Sequence, residues 1–518
     1  MVYKAHKKNK RKNKLLSESA EWSFELLEKY DEIIGDLALN KYKLEIYPNQ
    51  IELISAQQMM DNYSSLGMPL RYYHWSFGKQ YLNIEKRYKR GSMGLAYEMV
   101  INSNPCISYL LEENTMALQA IVIAHACYGH NSFFKCNYLF QTWTSADAII
   151  DYLLFAKNYI ASCEEKYGIE KVEELLDACH ALMQNGVDRY KRPAKLSTQE
   201  EQNRQEEREI YLQTQVNQLW RTIPRKTGKN ARDDKRFPSE PEENILYFLE
   251  KHAPLLEPWQ REIIRIVRKI AQYFYPQRQT KVMNEGWATF WHYTLINDLY
   301  ELGYVNDSFM LEFLHVHTDV LSQPAFDSKY YSGINPYTLG FAIFKDLRRI
   351  CENPTAEDKT WFPDLVNTDW VKTLDFAMRN FKDESFIAQF LSPKVIRDLK
   401  LFHLLDDDRQ QNLQVRAIHD ENGYHDVRQT LASMHNSSNI DPNIQIYSVD
   451  KRGDRSMTLR HYPFHRQPIE PGSAQEVLKH LYTLWGFPVK LESCNEAGEW
   501  QILYQCGEAL SSKKSNNA

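Results

Sequence analysis

The chain has 518 residues, is 43% hydrophobic and 13% aromatic, and carries a formal net charge of −5. That length exceeds one ordinary core, so two or more domains are expected, and the charge argues against a polypeptide that is basic throughout, as many nucleic-acid binders are. No apolar run approaches the roughly 20 residues that cross a bilayer; with no apolar signal-peptide core behind its basic start, the chain is expected to be soluble and cytoplasmic.

Seven Lys/Arg and no acid occupy residues 1–14, and residues 1–16 read as a basic, disordered tail. From residue 17 to about 408 the pattern is mainly helical. SAEWSFELLEKYDEIIGDLALNK begins on a capping Ser and keeps its apolar residues at helical spacing. ENTMALQAIVIAHACYG is apolar on every side, as a buried helix would be. SADAIIDYLLFAKNYIASCEEKYG and GIEKVEELLDACHALMQNG each stop at a Gly. A charged surface insertion is expected over about 196–243. Helices then resume with EPWQREIIRIVRKIAQYFYP and NEGWATFWHYTLINDLYELG, whose short link predicts neighbours in space. After about residue 409 the pattern alternates like strands, in LQVRAIHD, NIQIYSVDKRGDRSMTLRHYPF and PVKLESCNEAGEWQILYQC, with two interleaved helices. A small α+β domain over 409–510 is expected, followed by a disordered tail at 511–518. The eight cysteines are scattered without a CxxC pair, which fits buried, reduced thiols better than disulfides.

Two groups of residues ask for a chemical explanation. Glu285 and His292 lie seven residues apart along an otherwise apolar helix, on nearly one face. An unpartnered carboxylate inside would cost several kcal/mol, of the order for any unpaired buried polar group, so Glu285 is expected to be bonded, paired, metal-bound or spent on capping. Two turns rise about 10 Å, which makes Glu285 the easier ligand and His292 a neighbour. His125 and His130 are five residues apart, about 140° around a regular helix. Ala126 stands where a zinc-peptidase HExxH carries its Glu. Gly129 is expected to end that helix and let His130 swing back toward His125. Glu112 and Glu113 read as ligand, base or cap, and His180 as a weaker candidate. His315 and His317 face different sides of a helix. There is no GxxxxGK[ST], no GxGxxG after a strand and no GxSxG elbow.

Three segments, NSNPCISYLLEENTMALQAIVIAHACYGHNSFFKCN, KVMNEGWATFWHYTLIND and GINPYTLGFAIFKDLRRI, resemble the SpoVR family, in particular its YcgB-type members from enteric bacteria. The likeness runs on through NIQIYSVDKRGDRSMTLRHYPF to the last hairpin. It implies a bacterial cytoplasmic protein, tied in spore formers to assembly of the spore cortex peptidoglycan. Elsewhere it implies a stress or stationary-phase role beside a PrkA-type kinase and a YeaH-type protein. EGWATFWH also resembles the glutamate helix of gluzincin-like metallopeptidases, which makes zincin-like helices part of the expectation.

Two functions are therefore weighed. In one, His125, His130 and Glu285 hold a divalent metal, zinc first, for hydrolysis of peptide-like or peptidoglycan-related bonds. Glu112 or Glu113 is then the base, and His180 or His292 polarises the substrate. In the other, the helical body is an inactive scaffold whose charged loop and C-terminal module bind partners in a kinase-linked stress complex. Specific nucleic-acid binding is not expected, and oligomeric state is open.

Overall fold

The computed structural model of the chain describes residues 14–65, 67–68, 70–90, 98–188, 236–325, 328–401, 403–405, 414–416, 420–436, 441–463, 469–494 and 499–507. The basic start, most of the charged insertion, the tip of the last hairpin and the C-terminal tail lie outside the described residues. The fold is mainly α-helical, with a small C-terminal module of strands and helix. Among the described residues no helix is long and apolar enough to cross a membrane. All eight cysteines are free, six of them buried.

Packing divides the chain into Met1–Glu173 with Gln272–Asp441, and Glu174–Ala271 with Pro442–Ala518. The division differs from the boundary expected near 409. Among the described residues the strands β4 (His403–Leu405) and β5 (Gln414–Arg416) pair only with each other, and a helix over Glu421–Met434 packs within the first unit against Asp383–Phe390.

In the first unit, α1 (Phe24–Gly35) starts where the Ser23 side chain accepts the Leu26 N–H, and it buries Leu27, Tyr30 and Ile34 at helical spacing. A region expected to be helical contains a three-stranded sheet instead. β1 (Asn49–Ile54) runs parallel to β3 (Cys106–Leu111) and β2 (Glu98–Ile101) antiparallel to it, in the order β1-β3-β2. The short strands alternate their burial, which a helical reading of the surrounding pattern obscured. α2 (Ala56–Ser64) follows β1 on a capping box between Ser55 and Gln58.

α3 (Met116–Val122) is capped by Thr115 and buried on every side. It does not stop at Gly129. Residues Ile123–His130 continue it as a π-helical segment, which passes into α4 (Asn131–Cys136). α5 (Lys281–Leu302) packs along that segment and along α7 (Pro336–Glu352), with α6 (Asp307–Val320) between them in the chain. α5 begins at Lys281, a turn earlier than a cap at Asn284 would have it, so Glu285 lies inside the helix. The Asp383 carboxylate accepts the N–H groups of Val282 and Met283, satisfying donors that a helix start leaves open. α5 is apolar nearly all round and buries Trp287, Phe290 and Trp291, as a central helix must.

Close backbone approach sets these helices together. A Cβ on Gly129 would lie 2.6 Å from the Ala288 Cα, and one on Gly286 would collide with the backbone of Gly340. In the second unit β6 (Asn443–Val449), β7 (Met457–Tyr462), β8 (Val489–Cys494) and β9 (Trp500–Cys506) form a sheet in chain order. β7 and β8 are parallel, joined through α8 (Pro471–Trp485), and the other two pairs are antiparallel. The Asp450 carboxylate accepts the N–H groups of Arg452 and Gly453, which forms the expected turn at KRGD.

Gly129→Val is expected to destabilise the protein by at least the 1–3 kcal/mol typical of overpacking. Gly78, on the exposed helix Trp75–Lys89 with nothing within 4 Å of its would-be Cβ, serves as control. Gly78→Ala should be neutral or stabilising by up to about 1 kcal/mol. Thermal or urea unfolding of the two variants checks both signs.

Candidate metal centre

The π-helical segment explains the spacing of five between the histidines. Its hydrogen bonds run from i to i+5, so residues five apart stand nearly one above the other. The His125 and His130 rings lie 4.6 Å apart, at 88° to each other. Gly129 contributes by letting α5 press against the segment, not by breaking it. That contact carries Glu285 up to the rings: its Oε2 is 3.9 Å from His125 Nε2 and 3.5 Å from His130 Nε2. The three residues singled out as metal ligands therefore meet in one place.

Glu98 joins them. It opens β2, with Oε1 3.8 Å from His125 Nε2, and ligand atoms of Glu98, His125 and His130 all lie within 4.8 Å of one another. Nothing in the local sequence EMVI marks this carboxylate; only the sheet places it here.

Further groups orient the set. The Asn284 Oδ1 is 2.9 Å from His130 Nδ1 and can only accept there, so Nδ1 donates and the neutral ring presents its lone pair at Nε2. His125 Nδ1 is 2.9 Å from His292 Nδ1, and His292 Nε2 is 2.9 Å from His317 Nδ1. Both ring nitrogens of His292 are thus engaged, which removes it from contact with a substrate. His315 is exposed beside Asp319. The Tyr337 ring stacks on His125, and its hydroxyl is directed at Glu285.

The electrostatics state what the cluster lacks. Burial, then the neighbouring imidazoles His130 and His292, hold His125 well below the ordinary histidine range. Burial, with the neighbouring His317 and His130, does the same to His292, and burial takes His317 down to about 4. Burial beside Glu285 pushes Glu98 up to about 8, and burial, ahead of the two carboxylates, raises the Tyr337 phenol. Among the described residues, His125 Nε2 and Glu285 Oε2 are buried without a hydrogen-bond partner. Two lone-pair nitrogens and two carboxylates aimed at one point fit a divalent cation, because a cation satisfies all of them at once.

The remaining candidates fall elsewhere. Glu112 and Glu113 are exposed in the turn after β3, not on a helix leading to His125. The Glu112 carbonyl accepts the Trp22 indole N–H, and the Glu113 carboxylate accepts the Ala56 N–H at the start of α2. The structure does not bring either carboxylate to the cluster. His180 lies on the helix Ile169–Ala181, in the second unit.

A family model described as SpoVR like protein matches residues 21–440, and one described as SpoVR-like C-terminal domain matches residues 442–496. The chain is 61% identical over 492 residues to the "Uncharacterized protein YcgB" of Escherichia coli (strain K12), covering 95% of this chain and 96% of that relative. No solved structure matches.

A pH dependence follows for protein stripped of metal. Unfolded, Glu98 loses its proton near 4.5; folded, it keeps it to about 8. Its contribution to stability is therefore complete below pH 4.5 and lost as pH rises toward 8. The buried histidines, uncharged when folded, pull the opposite way below about pH 6.5, so the readout is a difference: in denaturant unfolding, the stability of chelator-treated native protein relative to Glu98→Gln should fall between pH 5 and 8. Equal slopes in the two proteins would contradict the assignment.

Proposed function

The chain belongs to the SpoVR-like family, and on that premise we propose that it is a metal-dependent hydrolase of peptide-like or peptidoglycan-related bonds. The observation that carries this reading is the convergence of His125 Nε2, His130 Nε2 and Glu285 Oε2, two of those atoms buried with no hydrogen-bond partner among the described residues. His125, His130 and Glu285 hold the ion, zinc before other divalent metals. Two imidazoles and one carboxylate are a zinc donor set that leaves a coordination position open. A bound ion supplies an acidified water and polarises a carbonyl oxygen.

The chain's own residues do the rest. Asn284 holds His130 with its lone pair facing the site. Glu98 supplies from a strand the carboxylate that a helix would carry at Ala126; burial holds its proton in the metal-free chain, and the charge of a bound cation would release it, leaving a carboxylate that takes up and returns a proton. Tyr337, kept neutral by burial, can donate its hydroxyl hydrogen to an oxygen that gains charge. The substrate class follows the family's association with cortex peptidoglycan and bacterial stress, and a PrkA-type kinase and a YeaH-type protein are the partners that association brings.

Metal analysis of untagged protein, purified without added metal, tests the reading. A bound divalent ion is expected in the native chain and should be lost in His125→Ala and Glu285→Ala. Native protein that contains none, and whose melting does not move on adding zinc or manganese, would refute it. With peptidoglycan-derived peptides as substrate, Glu98→Gln should keep its metal while hydrolysis falls by roughly 10²–10⁴-fold, the usual worth of a positioned proton acceptor.

A further inference from the structure

We propose that His292 and His317 are positioning residues that lock the tautomer of His125 through a one-way chain of hydrogen bonds. The proposal rests on the reading of the cluster as a metal centre. A neutral imidazole carries one N–H and one lone pair, so a row of bonded rings can be protonated in only two ways, each the reverse of the other. His125 Nδ1 faces His292 Nδ1 at 2.9 Å, and His292 Nε2 faces His317 Nδ1 at 2.9 Å. All three side chains are buried.

The direction is set at the His125 end. His125 Nε2 faces Glu98 and Glu285 at 3.8 and 3.9 Å and has no hydrogen-bond partner among the described residues. A cation held there needs the lone pair of Nε2, which puts the ring's one proton on Nδ1. His292 Nδ1 must then accept, which puts its proton on Nε2, where it is donated to His317 Nδ1. His317 in turn carries its proton on Nε2. The reverse order would place a proton on His125 Nε2, pointing at Glu285 and Glu98, where it would exclude a cation. His317 thus acts on the centre through two intervening hydrogen bonds, held in place by the rings of Tyr293, Phe313 and Phe341 around it.

Zinc affinity, measured by titration into metal-free protein, is the first readout. His317→Leu leaves the His292 N–H without an acceptor and should weaken zinc binding about 10- to 100-fold, the scale of such supporting partners. His317→Gln, whose amide oxygen can accept that N–H, should stay near the native affinity. Nitrogen NMR of protein labelled in its histidine rings is the second readout and needs no variant. With zinc bound, His292 should carry its proton on Nε2. Native zinc affinity in a folded His317→Leu, or a His292 proton on Nδ1, would overturn the chain while leaving zinc binding by the native protein intact. Absence of zinc binding by the native protein, matched by His125→Ala, would instead overturn the metal centre and this inference with it.

Discussion

The His125 imidazole is gripped at both ends by one helix. α5 sends Glu285 to its Nε2 side and His292 to its Nδ1 side, and the two turns between those residues, about 10 Å of rise, are bridged by the ring together with its contacts, 3.9 Å to Glu285 Oε2 and 2.9 Å to His292 Nδ1. This is why an apolar helix carries an ionisable pair at that spacing: the two side chains serve opposite nitrogens of the same ring. The arrangement demands that the helix axes come close, and the contact of Gly129 with Ala288 provides it. The Gly286–Gly340 crossing fixes the other side of α5. Packing in the first unit and chemistry at the cluster are therefore one constraint, since a side chain added at Gly129 would push Glu285 away from the imidazoles.

Much of this was legible in the residues. His125, His130 and Glu285 stood out as polar groups on apolar helices, where burial forces each to find a partner. Their meeting follows from that pressure. The mode of meeting did not. A spacing of five on an α-helix points two side chains apart, and a π-helical turn has no compositional signature in AHACYGH that distinguishes it from a broken helix. Glu98 was missed because a four-residue strand gives little period to read, and because its neighbours in the sheet come from distant positions. Glu112 and Glu113 misled for the same reason. Their carboxylates looked like part of the run into the histidine helix, whereas a strand ends and a cap intervenes before it starts.

The C-terminal module was legible in alternation and turn chemistry, and its strands and helix stand where those signals put them. Its edge was not. LQVRAIHD supplies a strand, but that strand pairs with His403–Leu405, and the helix after it packs with the first unit. Local pattern specifies an element well and specifies its partner poorly, because pairing is decided by tertiary contacts.

The central claim is that His125, His130 and Glu285 share one divalent ion. X-ray absorption at the metal edge of zinc-loaded protein tests it most directly. The account predicts a shell of nitrogen and oxygen donors at about 2.0–2.2 Å, with the outer-shell scattering of two imidazoles, and loss of half that imidazole signal in a His130→Ala protein that still binds zinc. A spectrum without imidazole scattering, or one unchanged by that substitution, would contradict it.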